Sequence, residues 1–281
     1  MVVFGTIGLF RRFVGVPSGF IAFSRGIIGA VFLLLILLLR RQKPDMNAIK
    51  KNAVCLLLSG ACIGFNWMFL FEAYNYTTVA TATLCYYMAP IIVLILSPFV
   101  LKEKLTLKKA VCVLTALIGM VFVSGVAKTG IGKDMKGIIF GLSAALLYSF
   151  VMMLNQKIHN IGAYEKTIVQ LLSAAVVILP YSLINEKIST SDITAKSVTG
   201  ILIIGIVHTG ICYALYFGSM SEMNSQTVAL LSYIDPIVAV ILSALLLKEH
   251  MGISEIIGAV LVLGATVSGE IDFKKLRRKN T

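Results

Sequence analysis

The apolar positions of this chain fall in long unbroken blocks rather than in stripes. The clearest block covers residues 20–39, where only Ser24 and Arg25 are strongly polar and Arg40 and Arg41 close the run. Further blocks cover 53–74, 78–100, 107–126, 137–155, 167–184, 198–219, 225–247 and 252–269. A helix needs about 20 apolar residues to cross the hydrocarbon of a bilayer, and several blocks reach that length. They lack the short in–out alternation of a barrel strand, so they predict helical spans. The first ten residues are also apolar, but Arg11 and Arg12 end the run. Ten helical residues reach about 15 Å, half a hydrocarbon core. The start has neither the basic opening nor the cleavage site of a signal peptide.

Composition sharpens this picture. Of 281 residues, 58% are hydrophobic and only 14% charged, with a mean hydropathy of +0.92. A soluble chain carries nearer a quarter charged residues. The net charge of +12 does not point to nucleic acid, because the basic residues sit in short connections. Those around 40–51, 102–109 and 157–166, with the tail at 274–279, hold sixteen of the 25 lysines and arginines. That richer side is predicted to be cytoplasmic, with the tail against anionic lipid. Cys55, Cys62, Cys85, Cys112 and Cys212 all fall inside spans, without metal-ligand spacing, and read as small packing residues.

An internal repeat organises the spans. A shift of 146 residues lays Leu84, Tyr87, Pro90, Ile91, Ile95, Leu96, Ser97, Leu101, Lys102 and Glu103 on identical residues from Leu230 to Glu249, ten of twenty positions. Gly64 falls on Gly210 and Thr81 on Thr227. The repeat predicts an all-α membrane protein of ten transmembrane helices in two five-helix halves, residues 1–126 and 137–270, followed by a basic tail at 271–281. Five is odd, so the halves are inverted, an arrangement secondary transporters use around a midplane site. The sixth span starts near Gly137, so its equivalent would begin before Met1. The first helix is therefore expected to be truncated by about half.

The ordered motifs Phe23-Ser-Arg25, Ala73-Tyr-Asn-Tyr-Thr-Thr-Val-Ala80, Tyr87-Met-Ala-Pro90, Leu101-Lys-Glu-Lys-Leu105 with Gly119, and Tyr233-Ile-Asp-Pro236 resemble the drug/metabolite transporter superfamily, and within it the EamA family of ten-helix carriers. The resemblance covers nearly the whole chain. It implies transport of metabolites such as amino acids without ATP hydrolysis. It also implies that an arginine at the position of Arg25 is common whatever the substrate.

Ionisable groups inside a bilayer are costly and so are functional suspects. Arg25 reads either as a ligand for an anionic substrate group or as a structural partner for a carboxylate or helix-end carbonyls. Glu72 is a candidate for amine binding or proton coupling, or else an interfacial acid or ion-pair partner of Arg25. Asp235 precedes Pro236, a proline that favours a kink, and is a candidate proton or cation site. His208 lies within a span and suits a proton relay or simple packing. Asn66 and Trp67, with Tyr213 opposite them in the repeat, and Tyr87 and Tyr233 beside the two prolines, are candidates to line an amphipathic pocket. Gly60-x-x-x-Gly64, Gly26-x-x-x-Ala30 and Gly137-x-x-x-Gly141 read as close helix contacts.

Phosphate-loop and His-Glu-x-x-His motifs are absent from the sequence, and no cofactor or metal is expected. The sequence points to a secondary transporter in the cell (inner) membrane with its C-terminus cytoplasmic. It would move a small amino-acid-like or other amphipathic metabolite by alternating access, its partners being that small-molecule substrate and membrane lipids. The alternatives are a lipid flippase or broad-range drug exporter, and, more remotely, an intramembrane enzyme.

Overall fold

A computed structural model describes residues 2–42, 44–100, 106–123, 135–155, 157–186, 193–213, 215, 234–248 and 252–270. Short helices α1 (Val2–Gly5) and α2 (Ile7–Phe13) are followed by α3 (Ser18–Leu39), α4 (Met46–Lys51) and α5 (Ala53–Tyr76). Next come α6 (Val79–Tyr86), α7 (Ala89–Val100) and α8 (Leu107–Val123). In the second half lie α9 (Met135–Asn155), α10 (Ala163–Asn185), and α11 (Ala195–Leu202), which runs into a π-helical segment (Ile203–Ile211). Helices α12 (Ile234–Leu246) and α13 (Ile253–Glu270) complete the described residues, which contain no strand.

Four of these helices are long and apolar enough to cross a membrane: Ser18–Leu39, Ala53–Tyr76, Met135–Asn155 and Ala163–Ile184. Shorter apolar helices accompany them. The outer surface matches: Leu39, Val54, Val176 and Ile184 stand between 66% and 84% exposed. Exposed large apolar side chains in such number are costly in water and belong against lipid. This is a multi-pass membrane protein.

The block at 78–100, expected to be one helix, is two. The chain leaves α6 at Tyr87, and α7 starts only at Ala89. Proline has no N–H to return to the carbonyl four residues earlier. Pro90 therefore lies in the first turn of α7, where no such bond is needed. Asp235 lies likewise in the first described turn of α12, so the expected mid-span kink falls at the edge of the described residues.

Close packing follows the small residues. A methyl built on Gly60 or Gly64 would strike α10 at the Gln170 and Ala174 carbonyls, at 2.5 and 2.9 Å. Gly26 faces Leu171 and Ala175 of the same helix, and Gly141 faces Ala82 and Cys85 of α6. Helix α10 thus packs on both α3 and α5, α9 packs on α5, and α13 packs on α8. The inner core includes Ile21, Leu33, Phe71, Leu171 and Ile204, each at most 1% exposed.

The start of α3 shows how a helix end is satisfied inside such a bundle. Its N-cap is Pro17, which offers no side-chain acceptor. The cap comes instead from Glu186, at the end of α10, whose carboxylate accepts from the Gly19 and Phe20 backbone N–H groups at 2.7 and 2.9 Å. Otherwise these donors would be left without partners at the helix end.

Candidate functional site

Arg25 projects from α3 into the bundle and is only 3% exposed. Its Nε donates to the Thr209 hydroxyl at 3.1 Å. Its guanidinium carbon lies 4.0 Å from the Trp67 ring centroid and 5.5 Å from that of Phe71. Among the described residues Arg25 makes no ion pair. Burying such a charge costs several kcal/mol. Stacking on a desolvated indole returns about 2 kcal/mol, and a charge-assisted hydrogen bond about 1.5–3 kcal/mol. The site thus tolerates an arginine whose Nη edge forms no described bond.

Phenols surround this cation. Tyr213, Tyr86 and Tyr74 lie within electrostatic range of the guanidinium. Tyr86 packs edge-on against Tyr87, with centroids 5.7 Å apart, and 5.2 Å from Tyr148. The Tyr87 hydroxyl donates to Asp235 Oδ2. Tyr74 and Tyr86 are in electrostatic range of Asp235 as well as Arg25. Tyr74 and Tyr86 thus lie near both the buried cation and the half-buried acid, and Tyr86, Tyr87 and Tyr148 pack into a tyrosine band that contacts the acid. Tyr87 stands at the break between α6 and α7.

The remaining candidates make other contacts. Asn66 donates to the Ala144 carbonyl at 2.6 Å and so joins α5 to α9. Glu72 does not pair with Arg25. Its Oε2 accepts from Ser18 Oγ at 2.8 Å and Asn75 Nδ2 at 3.1 Å. His208, 1% exposed, meets Thr6 Oγ1 through Nε2 at 2.8 Å and packs edge-on to Phe10. Tyr233 lies outside the described residues. Among the described residues no cluster of His, Cys, Asp or Glu could hold a metal.

Three features were missed by sequence reasoning. Arg11 reads as a charge that merely ends the first apolar run, yet it is 7% exposed and donates to Val14, Ser18 and Asn75. Thr209 carries no charge and gave no signal, although it holds Arg25. Glu186 is an ordinary loop acid until its distant helix partner is known. A separate apolar groove on the flank, lined by Val16, Phe20, Ser24, Val198 and Ile201 among others, does not reach the tyrosine band.

The model of the EamA-like transporter family matches residues 1–125 and 135–268. The chain is 29% identical to the uncharacterized transporter YxxF of Bacillus subtilis (strain 168), over 93% of this chain and 84% of that one. It is 26% identical to a probable amino-acid metabolite efflux pump of Salmonella typhimurium (strain LT2), over 81% and 80% of the two chains. Protein PecM of Dickeya dadantii (strain 3937) is 23% identical over 83% and 77%. A solved crystal structure superposes with a TM-score of 0.68 at 18% identity, covering 99% of this chain and 95% of the other, which shows a common fold.

Proposed function

Since this chain belongs to the EamA-like transporter family, we propose that it is a secondary carrier for a small metabolite bearing an anionic group, held at Arg25. The observation that carries this reading is the buried guanidinium stacked on Trp67 with no ion-pair partner among the described residues. A substrate carboxylate would supply the missing counter-charge through the Nη edge, the geometry that suits two parallel hydrogen bonds. Trp67, Tyr213 and Tyr87 would line the pocket, with Tyr233 as a further candidate. Asn66 would anchor α5 to α9 beside it. The name of the Salmonella relative, an amino-acid metabolite efflux pump, supports an amino-acid-like substrate.

We further read the chain as ten spans in two inverted halves, 1–126 and 137–270, that rock about this site. Support comes from the packing of α3 on α10 and of α8 on α13, each pair related by the 146-residue shift. Asp235, in contact with Tyr87, is the first candidate for proton coupling; Glu72 and His208 rank below it because each is engaged in helix packing. The C-terminus is cytoplasmic in this reading.

Flux of a substrate identified by thermal-shift screening, measured in proteoliposomes with and without a pH gradient, tests the proposal. Carrier function predicts saturable flux that Arg25→Met abolishes. Flux that Arg25→Met leaves intact would remove Arg25 from the site.

A further inference from the structure

We propose that Thr209, presented by the π-helical segment, is the positioning residue that aims Arg25; this deepens the anion-site reading and rests on it. Thr209 is fully buried. Its hydroxyl donates to the Ile204 carbonyl, five residues back, at 3.0 Å. A hydroxyl has one proton and two acceptor positions. With that proton committed, the oxygen can only accept from Arg25 Nε, as it does at 3.1 Å. In an α-helix a threonine hydroxyl bonds back three or four residues. Here the i−5 register of Ile203–Ile211 turns it to a different carbonyl. The neighbouring His208 repeats the pattern, its Nδ1 lying 3.4 Å from the carbonyl of Ile203, again five residues back.

The opposing helix is cut to receive this side chain. Gly29 lies one turn after Arg25 on α3, and a methyl there would lie 2.5 Å from Thr209 Cγ2. Gly205 and Gly210 make room in the same way for Ile28 and Phe32. Trp67 holds the flat face of the guanidinium and Thr209 fixes its Nε edge. Two of its freedoms are thus removed, and the Nη edge is left for ligand. π-Helical stretches are rare and frequently lie at functional sites; here the nine-residue stretch has a specific task.

Trp67 is the only tryptophan in the chain, so its fluorescence reports on the guanidinium above it. The full-length protein in detergent is compared with Arg25→Met, Thr209→Val and Thr209→Ser. Thr209→Val is expected to move the ligand-free emission at least half of the way toward that of Arg25→Met. Thr209→Ser, which keeps the hydroxyl, is expected to stay with the parent. Thr209→Val is expected to add nothing in the Arg25→Met background. Titration with propionate as the carboxylate probe is expected to give a Kd about tenfold weaker in Thr209→Val than in the parent. Emission of Thr209→Val coinciding with the parent, or of Thr209→Ser coinciding with Thr209→Val, would overturn the assignment. If Thr209→Val does not fold, Thr209→Ala enters the same comparison. Absence of any propionate response in the parent would count against the anion site, while the ligand-free emission would still decide whether Thr209 aims Arg25.

Discussion

The Tyr87 hydroxyl donates to the carboxylate of Asp235, 148 residues further along the chain. This bond joins the broken fourth span to the start of described α12. It also places an ionisable group at the end of the tyrosine band that leads to Arg25. If protons drive transport, this is where occupancy and conformation can be linked. Asp235→Asn is expected to keep substrate exchange at no less than about a third of the parent rate while losing its response to an imposed pH gradient. Tyr87→Phe is expected to keep the response with altered pH dependence. Flux assays in proteoliposomes at several internal and external pH values separate the two. A gradient response that survives in Asp235→Asn moves the coupling elsewhere.

Trp67 is predicted to matter for its ring and not only for its volume. Trp67→Leu keeps an apolar side chain but removes the face that stabilises the Arg25 cation. A desolvated cation–π contact is worth about 2 kcal/mol, so substrate affinity is expected to fall roughly tenfold to thirtyfold. Trp67→Phe is expected to fall in between, as measured by equilibrium binding.

Glu186 is predicted to be structural. Its two bonds to the Gly19 and Phe20 N–H groups cap α3, and it accepts a third from Ser182 at 2.7 Å. Glu186→Ala is expected to destabilise the fold by about 1–3 kcal/mol. Its melting temperature in detergent should fall by several degrees, with substrate KM little changed.

The crossing of α8 and α13 offers a built-in control. A methyl on Gly258 would lie 2.6 Å from the Gly119 carbonyl oxygen, and one on Gly119 would lie 2.9 Å from that of Gly258. Gly258→Ala is expected to cost about 1–3 kcal/mol because backbone must move. Among the described residues nothing lies within 4 Å of a methyl built on Gly264, on the same helix. Gly264→Ala is expected to be neutral or slightly stabilising in the same melting experiment.

The spans were legible because hydropathy alone marks them: the block at 20–39 became Ser18–Leu39, and that at 137–155 became Met135–Asn155. Arg25 stood out because a charge inside an apolar block has few innocent explanations. What stayed hidden depends on partners remote in sequence. Asn66 satisfies a backbone carbonyl on α9, which no side-chain pattern announces. Arg11 looks like a loop cation until Ser18 and Asn75 are seen around it. The π-helical register leaves the apolar content of residues 203–211 unchanged, so Thr209 could not be singled out. The break at Tyr87 was foreshadowed only by Pro90, and a proline in a membrane span more often kinks a helix than divides it.

In the proposed carrier, Arg25 holds the anionic group of the transported molecule. Trp67 fluorescence, titrated with a carboxylate metabolite that stabilises the full-length protein, tests it most directly. Saturable quenching is predicted in the parent, at least thirtyfold weaker in Arg25→Met and partly retained in Arg25→Lys. An unchanged Kd in folded Arg25→Met would show that the anionic group is held elsewhere.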